Sequence, residues 1–200
     1  YAQIPQIERD ALVALYNSTN GANWTNNTGW MVAAGNACDW YGVTCSNRNV
    51  AALSLRDNSL SGDIPTELGN LTNLTRLALT SNELSGSIPA ELGNLTELTF
   101  LSLRDNSLSG GILTELGKLT YLTYLHLGNN LHTGSIPTEL GNLTNLTSLG
   151  LYNNSLSGSI PASLGNLTNL TKLGLGENSL TGSIPSELGD LTNLTYLDLS

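Results

Sequence analysis

From Leu53 onward the chain repeats itself every 24 residues without an insertion. Leu53, Leu77, Leu101, Leu125, Leu149, Leu173 and Leu197 share one register position, and Leu55, Leu79, Leu103, Leu127, Leu151, Leu175 and Leu199 share another two residues on. Asn58, Asn82, Asn106, Asn130, Asn154 and Asn178 form a third column. Gly62, Gly86, Gly110, Gly134, Gly158 and Gly182 form a fourth, each followed two residues later by Ile. Six full repeats fill 53–196, and 197–200 begins a seventh. A unit this short cannot enclose a core alone, so its apolar face must be buried by the next unit, which makes a linear stack.

Each column has a physical task. Stretches such as Arg76-Leu77-Ala78-Leu79-Thr80 alternate polar and apolar with period two, which predicts a short strand. Stacked coils then pair these strands into a parallel sheet that rises about 4.8 Å per coil, roughly 30 Å over six. The Asn column falls at the following turn, where an amide both donates and accepts, as a buried polar ladder requires. The glycines let the backbone turn closely, and the Ile-Pro step sends the chain along the far side in extended form rather than as helix. Leu68, Leu71 and Leu74, with their equivalents, fill the rest of the interior.

The consensus Leu-x-x-Leu-x-Leu-x-x-Asn-x-Leu-Ser/Thr-Gly-x-Ile-Pro-x-Glu-Leu-Gly-Asn-Leu resembles the plant-type leucine-rich repeat over nearly the whole chain. The resemblance implies an α/β repeat solenoid, a right-handed curved superhelix with a parallel β-sheet on its concave face. It also implies binding of proteins, peptides or glycans on that sheet.

Residues 1–52 stand apart from the repeats of 53–200. Pro5 opens a helix in which Ile4, Ile7, Ala11, Leu12 and Leu15 form the apolar stripe, ending near Asn17. All three Trp lie in this segment, as expected of a cap over the otherwise exposed first coil. The run Cys38-Asp39-Trp40-Tyr41-Gly42-Val43-Thr44-Cys45 resembles the N-terminal cap of plant leucine-rich-repeat receptors and polygalacturonase-inhibiting proteins. The further Cys pair of many such caps is absent, which implies an algal, protist or bacterial origin. The two Cys close a short segment and favour one disulfide over free thiols or metal ligands; zinc would need two more ligands, and neither His lies nearby.

The disulfide and twelve Asn-x-Ser/Thr sequons, eight of them the repeat's own Asn-Leu-Thr, point to a secreted or cell-surface location. The chain starts at Tyr1 rather than Met, as a processed or trimmed chain does, and ends at Leu199-Ser200 inside a strand without a closing cap. The natural protein is therefore expected to continue, with more repeats, a cap or an attached domain such as a receptor kinase.

Composition narrows the function. Seven Lys plus Arg against sixteen Asp plus Glu argue against nucleic acid or an anionic membrane as partner. No apolar run approaches eighteen residues, so this segment does not insert into a membrane. There is no phosphate-cradling loop, no His-Glu-x-x-His and no Gly-x-Ser-x-Gly, so neither enzyme chemistry nor a cofactor is expected.

Interior columns hardly vary between repeats, so partner information must lie in the outward columns of the concave sheet. These carry Arg76, Phe100, Tyr124, Lys172 and Tyr196 in one column, His126 in the next, and Arg104 and Tyr152 in the third. Aromatic and Arg side chains are what binding hot spots use, so these eight are the candidate ligand-binding residues. The alternative is that aromatics merely suit exposed strand positions, with Arg56-Asp57 and Arg104-Asp105 as local charge pairs.

Nearby, His132 stands where other repeats have Leu60, Leu84 and Leu108, and a local bulge or repacked turn is expected. Two Thr rows, beginning at Thr72 and Thr75, give the solenoid the form of an ice-binding surface. The leading function is extracellular recognition of a protein, peptide or glycan. The alternatives are inhibition of a secreted glycan-degrading enzyme and a structural or ice-binding role.

Overall fold

The computed structural model describes residues 3–32 and 35–200. Tyr1, which bears on the processed start, lies outside them, as do Ala2, Ala33 and Ala34. Helix α1 spans Gln6–Ser18 directly after Pro5, whose carbonyl accepts from the Glu8 and Arg9 amides. Ile4, Ala11, Leu12 and Leu15 are buried as expected. Ile7 is not: it is 55% exposed, and the neighbouring buried position is Glu8. One helical step of about 100° separates the two, and the face that meets the first coil falls on residue 8. The Glu8 carboxylate accepts the Val50 amide at 2.7 Å. Burial pushes its pKa up against the lowering effect of that bond and one from Asn73.

Strands β1 (Val43–Ser46) and β2 (Asn49–Ser54) form an antiparallel hairpin, and β2 begins the long sheet. Six parallel strands follow it, from Arg76–Ala78 to Tyr196–Asp198, so the sheet has eight strands. Each interior Leu pairs with its equivalent 24 residues on, as Leu77 does with Leu101 and Leu101 with Leu125. The return path is extended through Ile-Pro but then tightens into a five-residue 3₁₀ turn in every coil, starting with Thr66–Asn70. Gly111-Ile112-Leu113 departs from the consensus, yet Leu113 takes φ −84° and the same turn forms at Thr114–Lys118. Short strands such as Ser109–Gly111 and Leu131–Gly134 add a second ladder that the periodicity does not announce.

The Asn ladder is the main polar structure inside the stack. Asn106 Nδ2 donates to the carbonyls of Leu103 and, one coil earlier, Leu79, both at 3.0 Å, while its Oδ1 accepts from the Leu84 amide. Asn82, Asn130, Asn154 and Asn178 repeat the pattern. At the first coil Asn58 turns to the cap: its Oδ1 accepts the Asn26 amide at 2.6 Å and its Nδ2 donates to the Asn26 carbonyl. The cap thus supplies the rung that a preceding coil would.

Cap packing is aromatic. Trp24 and Trp30 lie 4.8 Å apart edge to face, Trp40 lies 4.8 Å from Trp30, and Tyr16 stacks on Trp30 at 6.0 Å. The Cys38–Cys45 disulfide ties the turn Ala37–Asp39 to β1.

His132 corrects the expected bulge. Its strand pairs without a register break, Gly110 opposite His132, and the imidazole is fully buried in the Leu slot while Leu131 is 56% exposed. The backbone keeps its lattice because neighbouring coils hold the ladder on both sides. Nδ1 lies 3.3 Å from the Gly110 carbonyl, and Nε2 has no partner.

Burial lowers the His132 pKa below 6.5, so the folded state takes its proton less readily than the unfolded chain does. Stability is therefore full above about pH 6.5 and falls as the pH drops below it. His126 acts in the same sense and Glu8 in the opposite one, but both are unchanged by a substitution at 132. His132→Leu is expected to add about 1–2 kcal/mol at pH 7 by removing a buried orphan nitrogen. The gain should widen towards pH 5 in paired urea melts, and a gap that stays constant with pH would refute the titration argument.

Candidate binding face

The outward positions of the long sheet bring Phe100, Tyr124 and His126 into one continuous stack. In-register pairing sets Phe100 beside Tyr124, with parallel rings 4.4 Å apart at 6°. Tyr124 then stacks on His126 at 4.0 Å and 11°. The Arg76 guanidinium caps the far end, 3.6 Å from the Phe100 centroid, and Arg56 approaches the same ring at 5.6 Å. A cation over a ring face is attracted by the ring quadrupole, so the arginines and the rings hold one another in place. Arg56 therefore serves the stack rather than pairing with Asp57, a role its sequence position did not suggest.

His126 ends the stack. Its Nε2 is 2.8 Å from Ser148 Oγ, and its Nδ1 has no partner. Burial pushes its pKa down to about 4, with the Arg104 and Lys172 charges adding to the effect, so the ring is neutral at pH 7.

Arg104 and Tyr152 form a second unit. Arg104 Nε donates to Asp105 at 2.7 Å, the one ion pair among the described residues, and Nη1 donates to the Tyr152 hydroxyl at 3.3 Å. Asp105 in turn accepts from Asn129, which accepts from Asn153 at 2.8 Å, so a polar rim runs beside the sheet.

Glycines decide how these rings lie. A Cβ on Gly128 would stand 2.8 Å from the Tyr152 ring, and one on Gly150 would stand 2.9 Å from the His126 ring. Both rings lie against the sheet because those neighbours lack a side chain. Gly150 and Gly174 floor an open depression of about 160 Å³ bordered by His126, Tyr152, Lys172, Tyr196 and Asp198. Lys172 and Tyr196 are thus beside the stack, not in it. Ser148, Gly150, Gly174 and Asp198 also line the depression and were not among the eight candidates; the signal for the glycines was the change from Ser and Ala to Gly in their outward column.

The Thr row that begins at Thr75 is structural. Each hydroxyl donates to the carbonyl one coil earlier, Thr75 to Ala51, Thr99 to Thr75, and so on to Thr195. Among the described residues no group of three or more His, Cys, Asp or Glu could hold a metal ion, and no helix is long and apolar enough to cross a membrane.

Comparison with known proteins agrees with this architecture. A leucine rich repeat N-terminal domain model matches residues 5–46, a leucine rich repeat model 48–108, and a leucine-rich repeat region model 103–200. The chain belongs to the leucine-rich repeat family. Over 68 residues this leucine-rich repeat chain is 40% identical to a probable inactive receptor kinase of Arabidopsis thaliana; the match covers 34% of the chain and 10% of that kinase. A plant ice-binding protein superposes with a TM-score of 0.85 and 32% identity over 94% of this chain and 61% of that one. The ectodomain of the Arabidopsis receptor kinase HAESA, solved with an IDA peptide hormone, gives 0.82 and 33% over 98% of this chain and 34% of that one. The leucine-rich repeat chain therefore spans only part of these relatives' length.

Proposed function

We propose that this chain is an extracellular recognition module that holds a peptide or protein partner against its concave sheet, across the coils that carry Arg76 through Tyr196. The observation that carries the reading is the Arg76–Phe100–Tyr124–His126 stack. It is a row of large side chains already locked by one another, so a partner need not pay to order them. Because the ring faces are turned on each other, the partner meets ring edges, the polar rim and the glycine-floored depression. Lys172 and Asp198 there offer one charge of each sign to a peptide backbone or side chain. The likeness to a receptor ectodomain crystallised with a peptide hormone supports both the ligand class and an extracellular location.

A peptide selected from a displayed random library against the intact chain provides the probe. Phe100→Ala/Tyr124→Ala is expected to weaken its binding by about 100-fold, the effect of two hot-spot side chains. If every selected peptide binds the double variant as tightly as the parent, this site is wrong.

The likeness to a plant ice-binding protein favours a second reading, adsorption to ice. The row beginning at Thr75 has its hydroxyl protons committed to carbonyls. The array left for ice is the exposed row Thr72, Thr96, Thr120, Thr144, Thr168 and Thr192. Thermal hysteresis that disappears on Thr120→Lys/Thr144→Lys would favour this reading over the first.

A further inference from the structure

The repeat region carries nine sequons, and the hydrogen bonds divide them into two groups. Three of the six coils read Asn-Leu-Thr-Asn-Leu-Thr, two acceptor motifs end to end, while the coil at Asn94 keeps only the first and the coil at Asn193 only the second. The second motif works for the fold. Asn145, Asn169 and Asn193 each donate Nδ2 to a carbonyl of the coil before, at 2.8, 2.9 and 2.8 Å, and the Thr two residues after each donates its hydroxyl in the same direction. The Asn73 amide acts on the buried Glu8 carboxylate, lowering its pKa, and Asn153 donates to Asn129.

The first motif does none of this. Asn70, Asn94, Asn142 and Asn166 end the 3₁₀ turns with exposed side chains, and among the described residues neither these amides nor the hydroxyls of Thr72, Thr96, Thr144 and Thr168 make a side-chain hydrogen bond. No side-chain hydrogen bond among the described residues uses these four Asn and Thr pairs, and each pair is a complete, exposed acceptor motif.

We propose that Asn70, Asn94, Asn142 and Asn166 are the N-glycosylation sites of the repeat region, giving the solenoid a sugar-bearing ridge on its 3₁₀ side and a bare concave sheet. In the transfer, Asn Nδ2 forms a bond to the anomeric carbon of a lipid-pyrophosphate-linked oligosaccharide. The bond from that carbon to the pyrophosphate oxygen breaks, the amide nitrogen gives up one proton, and the lipid pyrophosphate leaves. A glycan at these four positions displaces no hydrogen bond of the fold. One at Asn145, Asn169 or Asn193 would sit on an amide nitrogen that joins two coils.

The proposal rests on passage through a eukaryotic secretory route, not on the concave site. The test is secretion of the full chain from such a host behind a cleavable leader, beside a known glycoprotein as control. Enzymatic release of glycans in heavy-oxygen water, followed by peptide mass spectrometry, then marks each former glycosylation site. Label is expected at Asn70, Asn94, Asn142 and Asn166 and not at Asn145, Asn169 or Asn193. Replacing the four with Gln should remove four glycan masses and leave binding of the selected peptide unchanged. Label chiefly on the second Asn of each pair, or none in the repeats while the control is glycosylated, would overturn the assignment.

Discussion

Asn130→Ala is expected to destabilise the chain by about 3–5 kcal/mol. Asn130 is 7% exposed, and its Nδ2 donates to Leu103 O at 3.0 Å, Leu127 O at 3.1 Å and Gly128 O at 3.3 Å. Its Oδ1 accepts the Leu108 amide at 3.0 Å. Alanine orphans that amide, costing about 1–3 kcal/mol when buried, and takes one of two side-chain donors from the Leu103 and Leu127 carbonyls, which keep Asn106 and Asn154, each lost bond being worth about 1 kcal/mol. It also severs a rung in the middle of the stack, where stability depends on coupling between neighbouring coils. Asn130→Asp should be at least as damaging near neutral pH, because it sets a carboxylate against three carbonyl oxygens. Asn142→Ala, on the exposed ridge, is the control and should cost under about 0.5 kcal/mol. Denaturant melts decide the matter: a loss below 1 kcal/mol at Asn130 would mean that water or a backbone shift replaces the rung.

Trp30→Ala should have an effect of similar size, about 3–5 kcal/mol, but confined to one end. Trp30 is 5% exposed and sits between Trp24 and Trp40 with Tyr16 against it, and its Nε1 donates to the Tyr41 carbonyl at 2.9 Å. Removing it takes the centre out of the cap and loosens its hold on Leu53, Leu55 and Leu60, the interior of the first coil. Hydrogen exchange distinguishes this from general weakening. Amides of α1 and β1 should lose protection, while those of Lys172–Gly174 keep theirs. Equal loss at both ends would show that cap and repeats unfold as one unit.

The cap also shows where reading a sequence stops. Trp24, Trp30 and Trp40 were legible as cap residues because a solenoid must close its first coil. Their mutual packing, the burial of Glu8 in place of Ile7 and the rung formed by Asn26 were not. The cap has no internal repeat, so no second copy of the pattern shows which face of α1 points inward. His132 failed for the opposite reason. The lattice around it is so strongly determined that a polar ring was carried into a leucine slot instead of the backbone yielding.

On the concave sheet, periodicity was enough to place Arg76, Phe100, Tyr124, His126, Arg104 and Tyr152 on one surface, since a 24-residue step in sequence is one step across the sheet. It did not reveal that the rings consume one another's faces, that Arg56 joins them, or that glycines on the adjoining strands allow His126 and Tyr152 to lie against the sheet. Those outcomes depend on rotamers, and a rotamer on an open sheet is chosen by its lateral neighbours rather than by its own position in the repeat.

By itself, then, the sequence determined the coil, the strand register, the Asn ladder and the need for a cap. Each follows from burying leucines at a fixed period and satisfying the backbone around them. Only the tertiary structure decided which exposed side chains act together, which threonines and asparagines are bound into the fold and which are free. A repeat fixes where a residue is anchored, while hydrogen bonding and ring packing between coils settle what its side chain is left to do.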